Sequence, residues 1–248
     1  MRDRFEAAAQ ALGGGPFGGG AFGGRALSLD AQARVVGAYQ WMERRLFEVL
    51  GSWAGNEPVP EAQVLFDVTA QQHAWHAELF AERLPALDSV DAATLTVPPS
   101  VEVDRMFAAL AGALRPGEGE PAAGDGTLMG RGPGSGAPSG GTLLRLVGLG
   151  RVVLPRLVAG YGLHLRRVSL VAEAPTGRAL RLVLRDEVEQ WQAVETLTQA
   201  LLRRPHDIAV VTGHQQHLEG LVAETGAGLV PWPEGAGALD GPAGPPPA

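Results

Sequence analysis

Apolar residues recur every three to four positions along most of this chain, and the recurrence stops at three Gly- and Pro-rich stretches: residues 13–24, residues 116–141, and everything from Gly226 onward. A period near 3.6 with little strand-like alternation specifies amphipathic helices, so the fold class expected is all-α. The 248 residues include 35 Gly and 19 Pro. Bunching so many of them into stretches that cannot pack leaves about 180 residues for a core, the size of one domain. The organisation expected is a disordered Gly-rich arm over 1–26, a helical domain over 27–225 with a disordered connector at 116–141 inside it, and a disordered Pro/Gly-rich tail over 226–248.

Within the domain the spacing predicts helices at 29–54, 60–84, 102–114, 143–173, 176–203 and 206–224. Gly55-Asn56-Glu57-Pro58 separates the first two, and Ala174-Pro175-Thr176 separates the 143–173 and 176–203 helices. Connections this short make neighbours antiparallel. The four long helices should therefore form two hairpins in an up-down bundle, joined by a long crossover that holds the 102–114 helix, with the last helix as an extra C-terminal cap. Pro155 should kink the third long helix or mark its true start.

Several function classes are disfavoured. There is no cysteine, hence no disulfide or thiolate chemistry. A net charge of -7 argues against a nucleic-acid partner, which needs a basic footprint. The pairs Arg166-Arg167 and Arg203-Arg204 sit near expected helix ends, where cations suit the dipole. The longest apolar stretch, Leu143 to Leu165, is interrupted by Arg145, Arg151 and Arg156, so it is not expected to span a membrane. The start Met1-Arg2-Asp3-Arg4-Phe5-Glu6 lacks the apolar run of a signal peptide, and a cytoplasmic location is expected. No Ser-His-Asp pattern, P-loop or dinucleotide fingerprint is present.

The informative residues are polar ones on apolar faces. Glu43 is centred in a stripe of Val36, Tyr39, Leu46, Phe47 and Leu50. The inward arc of the second helix holds Leu65, Thr69, Gln72, His73, His76, Leu79 and Phe80. Tyr161 is centred on the third long helix with His164 at the edge, and Glu187 on the fourth with Gln190 flanking it. Glu43 lies about 13 residues before its turn, and His73 and His76 about 17 to 20 after it. Tyr161 and Glu187 lie about 12 to 14 residues on either side of Pro175. All four faces should thus present polar groups at one depth. A buried carboxylate without a partner is driven to protonate, so these groups are expected to form one hydrogen-bonded set or to share a cation. Iron, manganese and zinc all suit such nitrogen and oxygen donors. His214 and His217 also have ligand spacing but sit at the edge of the stripe of the last helix, and Trp75 and Trp191 are expected to pack.

The two segments His73-Ala74-Trp75-His76 and Glu187-Val188-Glu189-Gln190 resemble the paired metal-binding repeat of the ferritin-like superfamily. The chain is similar over residues 30–204 to its rubrerythrin-like and diiron-hydroxylase-like branches and to actinobacterial ferritin-like proteins. The resemblance implies a Glu on the first helix, Glu-x-x-His on the second, Glu on the third and Glu-x-x-His on the fourth, bound to two metals. Glu43, His76 and Glu187 stand at matching positions. His73 replaces the expected Glu, Gln190 the expected His, and Tyr161 or His164 the Glu of the third helix. With two carboxylates remaining, the resemblance implies a remodelled site for a single ion held by Glu43, His73, His76 and Glu187, with Gln72, Tyr161, His164 and Gln190 around it. The function implied is that of a metal-dependent oxidoreductase of hydroxylase-like kind. Ferroxidase storage is disfavoured by the missing third Glu. The alternative is a metal-free interaction or scaffold protein whose polar layer specifies helix register, engaging a protein partner or a sister subunit.

Overall fold

The computed structural model describes residues 27–85, 90–112, 140–169, 171–226 and 228–230. The expected arm over 1–26, most of the connector and the tail beyond Val230 lie outside the described residues. Among the described residues there is no extended strand, and the class is all-α. No helix is long and apolar enough to cross a membrane.

Helix α1 (Leu29–Ala54) starts where Ser28 turns its hydroxyl back to accept from the Ala31 N–H at 3.3 Å, satisfying one of the donors that every helix start leaves free. Helix α2 (Pro60–Ala81) begins on proline, which loses nothing there because a first-turn N–H has no intrahelical partner. The five residues between them force an antiparallel hairpin whose helices lie along one another. Two short helices follow, α3 (Ala92–Leu95), capped by the Asp91 side chain, and α4 (Val101–Gly112). Then come α5 (Gly140–Val147), a π-helical segment (Gly148–Val153) and α6 (Leu154–Arg167), end to end as one rod. Helix α7 (Ala174–Leu201), again with proline in its first turn, returns along α6 and also packs on α2. Helix α8 (Pro205–Glu224) packs on α4 and α5.

The π segment is the structural answer to Pro155. A proline inside an α-helix removes one N–H and crowds the preceding turn. Here Leu154 donates five residues back to the Leu149 carbonyl, widening the turn just before the proline. Beside it the Val152 carbonyl accepts from the Arg156 guanidinium at 2.7 Å.

One apolar core joins the long helices: Tyr39, Met42, Leu46 and Trp53 from α1, Phe66 and Phe80 from α2, Leu157 and Tyr161 from α6, and Leu180, Val183 and Val194 from α7. Each large side chain removed from water contributes about 1.5–3 kcal/mol. At the bottom of the first hairpin Glu57 is buried and fully engaged. It accepts from Thr142 at 2.5 Å, from the Arg145 guanidinium at 2.6 Å and from the Val59 N–H at 3.1 Å. This staple ties the α1–α2 turn to the start of α5 and fixes the height of the second half against the first.

Four details differ from the expectations. The third long helix begins at Gly140, inside the expected connector, and ends at Arg167, not 173. Helix α2 ends at Ala81. Phe47, expected in the buried stripe of α1, is 43% exposed, because the inward arc runs through Leu46 and Leu50 and leaves Phe47 at its outer edge. Leu229 and Val230, inside the expected tail, are buried, and Val230 sits so close over Gly160 that any side chain there would collide with it.

Gly37 has a similar role, since a Cβ on it would lie 2.2 Å from the Leu95 carbonyl oxygen, whereas one on Gly51 would meet nothing within 4 Å. Gly37→Ala should therefore destabilise the protein by about 1–3 kcal/mol. Gly51→Ala should stabilise it by about 0.5–1 kcal/mol through helix propensity. Denaturant midpoints of the two variants check this; equal effects would show that α3 is not seated on α1.

Candidate metal centre

Glu43, His73, His76 and Glu187 come together at mid-height in the core, all four completely buried. Each offers a ligand atom, and these atoms lie within 4.8 Å of one another. The local reasons are simple. Glu43 is carried inward by the apolar stripe around it, His73 and His76 lie three residues apart on the inner face of α2, and Glu187 lies on the inner face of α7.

His73 Nδ1 donates to Glu43 Oε2 at 2.6 Å, and His76 Nδ1 donates to the same oxygen at 3.3 Å. Glu187 Oε1 lies 3.4 Å from His73 Nδ1 and 3.3 Å from His76 Nδ1. The other oxygen of Glu43 accepts from the Tyr161 hydroxyl. On its outer side His76 Nε2 faces Asp186 Oδ2 at 3.2 Å. Asp186, with its side chain 22% exposed, is the point where this network reaches the surface.

The electrostatics are those of four ionisable groups in a dry place. Burial pushes the Glu43 carboxyl up, but the charge of His73 and the hydrogen bonds from both imidazoles outweigh it and hold it down at about 2. Burial likewise opposes a charge on His76, yet the facing carboxylates of Glu187 and Glu43 raise it to about 11. Glu187 is displaced upward, first by burial and then by repulsion from Glu43. The Tyr161 hydroxyl is held well above its usual range by burial and by the Glu43 charge, so it stays a donor.

Beside this group lies an aromatic wall. Tyr39 meets Tyr161 edge-on at 4.8 Å and Phe80 at 5.2 Å, and Phe80 meets Tyr161 at 5.6 Å. The Tyr39 hydroxyl is hydrogen-bonded to His164 Nδ1 at 3.1 Å. Burial lowers His164 to about 4, so it is a neutral imidazole in this wall.

Of the residues expected around the four, Tyr161 touches Glu43 directly and His164 stands one residue removed, behind Tyr39. Gln190 is buried on the same face as Glu187, and neither atom of its amide has a hydrogen-bond partner among the described residues. Gln72 is half-buried and makes no hydrogen bond to the cluster among the described residues. His214 and His217 join no other group of three or more potential ligands there. Trp75 is 47% exposed, with its ring 6.1 Å from that of His76.

Sequence reasoning missed Asp186 and Tyr39. The signal for Tyr39 was a hydroxyl inside an apolar stripe, which needs a partner when buried. Asp186 had no comparable signal, because an acid beside an inward Glu usually faces solvent.

The donor set fits a cation. A tetrahedral ion with bonds of about 2.0–2.1 Å has ligand-to-ligand edges of about 3.3–3.4 Å, which are the spacings from Glu187 Oε1 to both imidazoles and from His76 to Glu43. The His73–Glu43 edge is drawn in to 2.6 Å by its hydrogen bond and has to open. His73 Nε2 and both Glu187 oxygens, all buried, have no hydrogen-bond partner among the described residues.

No family model matches this sequence, and no curated protein or solved structure matches it either.

In the metal-free protein, His76 contributes stability fully below its ordinary value of 6.5 and loses it as pH rises toward 11. The unfolding free energy of chelator-treated protein should therefore fall with rising pH over that range, and His76→Gln should flatten the slope. An unchanged slope in the variant would show that the imidazolium is not what the two carboxylates hold.

Proposed function

We propose that this chain is a ferritin-like helical-bundle protein with a remodelled site, in which Glu43, His73, His76 and Glu187 bind one divalent transition-metal ion. The observation that carries this reading is the convergence of four fully buried ligand atoms within 4.8 Å, three of their spacings at tetrahedral-edge length. A layer kept only to specify helix register would satisfy its own hydrogen bonds. This one leaves both Glu187 oxygens without an aligned hydrogen bond, Oε1 lying 3.4 and 3.3 Å from the two imidazoles, and beside the like charge of Glu43. A divalent cation removes that conflict, since two carboxylates balance its charge.

Each residue has a definite task in this reading. Glu43 and Glu187 supply charge and oxygen donors; His73 and His76 supply nitrogen donors through Nδ1. Tyr161 holds the second oxygen of Glu43, which keeps the first aimed at the imidazoles. Asp186 keeps a proton on His76 Nε2 and so leaves Nδ1 as the donor atom. The aromatic wall keeps water out on the Tyr39 side. When bound, an iron or manganese ion would supply one-electron redox chemistry or Lewis acidity, consistent with a metal-dependent oxidoreductase of hydroxylase-like kind. Two carboxylates are too few to bridge and balance a second ion, so the centre is mononuclear.

Protein purified without chelator should hold one equivalent of metal per chain by elemental analysis. His76→Ala and Glu187→Gln should each abolish it while circular dichroism stays helical. Uptake should release protons, because His76 must give one up. Unchanged metal content in His76→Ala, or two ions per wild-type chain, would contradict the assignment.

A further inference from the structure

Four exposed arginines, Arg34, Arg166, Arg178 and Arg181, make no ion pair among the described residues. All four lie within about two turns of one end of the bundle, near the start of α1, the end of α6 and the start of α7. These helix ends adjoin: the Gln32 amide donates to the Thr176 hydroxyl at 3.1 Å, and a Cβ on Gly177 would lie 2.8 Å from the Val168 side chain. Away from this end every described arginine has a partner, a carboxylate or, for Arg203, the Ala200 carbonyl. The unpaired acids of the same end are Asp30 on α1 and Glu78 on α2. Glu173 is buried and turned back on the Ser169 N–H at 2.8 Å, and α7 has no acid in its first turn. Helix stability does not explain this placement. Helical side chains lean toward the start of their helix, so Arg178 carries its charge back toward a turn whose N–H groups are already positive. Between Arg166 and Arg178, at the tip joining α6 to α7, Val171 is 96% exposed.

We propose that this end of the bundle docks on the surface of an anionic phospholipid bilayer, the four arginines meeting headgroup phosphates and Val171 entering the interface. Such docking does not depend on the metal centre. Distance and charge favour a bilayer over other anions. Helix α7, with 28 residues, is about 42 Å long, several times the roughly 8–10 Å over which charges act at moderate salt. A bilayer met end-on therefore feels the arginines and not the acids farther along a chain of net charge -7. A long polyanion lying against the rod would meet those acids as well. A protein partner would need an apolar-centred patch of about 800 Å². The exposed large apolar residues of this end are Val171, Leu29 and Leu182, too few for such a centre. An anionic bilayer needs less, because each arginine near its surface is attracted separately and one apolar tip adds to the sum.

The test is co-sedimentation of the full-length chain with vesicles of phosphatidylcholine alone and of an equal mixture of phosphatidylcholine and phosphatidylglycerol. The chain should bind the mixed vesicles only, and high salt should release it. Arg178→Gln combined with Arg181→Gln should weaken binding by about 30-fold, about fivefold for each charge removed. Arg44→Gln combined with Arg203→Gln removes the same charge at exposed positions away from this end and should bind like wild type. Val171→Asp should weaken binding on the order of tenfold, through the lost apolar contact and the added like charge. Thermal midpoints of all these variants, no lower than about that of wild type, should show them folded. No binding to the mixed vesicles, equal binding to the neutral ones, or equal losses in the two double variants would overturn the inference. Tighter binding of polyglutamate or of a DNA duplex than of the mixed vesicles, lost with Arg178 and Arg181, would overturn it too, by putting an acidic protein or a nucleic acid in the bilayer's place.

Discussion

A carboxylate at the centre of an oily helix face is the constraint on which the rest of this structure depends. Glu43 is wholly buried among Val36, Tyr39, Met42, Leu46 and Leu50, and an isolated charge there would cost far more than one domain's stability allows. The helices have to bring it partners. His73 and His76 approach from α2, Tyr161 from α6, and Glu187 completes the group from α7. The fold and the site are therefore one problem, because a shift of any of these helices by a single residue would strand the charge.

Two devices away from the site hold that register. The buried Glu57–Arg145–Thr142 staple sets the height of α5 against the first hairpin. The π turn then sets the rotation. Arg145 and Tyr161 are separated by sixteen positions, which at 100° per residue puts them about 160° apart on an unbroken α-helix. The widened turn takes up on the order of one residue, or 100°, between them. Both side chains can then face the first hairpin, Arg145 toward its turn and Tyr161 toward Glu43. Pro155 makes the widened turn favourable, and the Arg156 guanidinium donates to the Val152 carbonyl within it.

Much of this was legible from the chain. Apolar spacing located the long helices, and counting residues from the two short turns placed Glu43, His73, His76, Tyr161 and Glu187 at one depth. What stayed hidden has physical causes. The π turn could not be read because Pro155 is equally compatible with a kink or a helix start. Helix α3 is only four residues long, too short for any periodicity. Asp186 reaches His76 only because α7 crosses α2 at that height, a tertiary fact. Val230 packs because Gly160 leaves space above α6, which no feature of the Gly-rich tail announces. Phe47 was misplaced because a stripe drawn at ideal angles is wider than the arc that the neighbouring helices cover.

The central claim is that side chains from three helices form one mononuclear site in a dry core, and X-ray absorption fine structure of the metal-loaded protein tests it most directly. The account predicts a single shell of nitrogen and oxygen neighbours at about 2.0–2.1 Å, with the outer-shell scattering of two imidazoles and no heavy scatterer beyond. A metal–metal vector at about 3.5–4 Å, or a shell without imidazole, would contradict it.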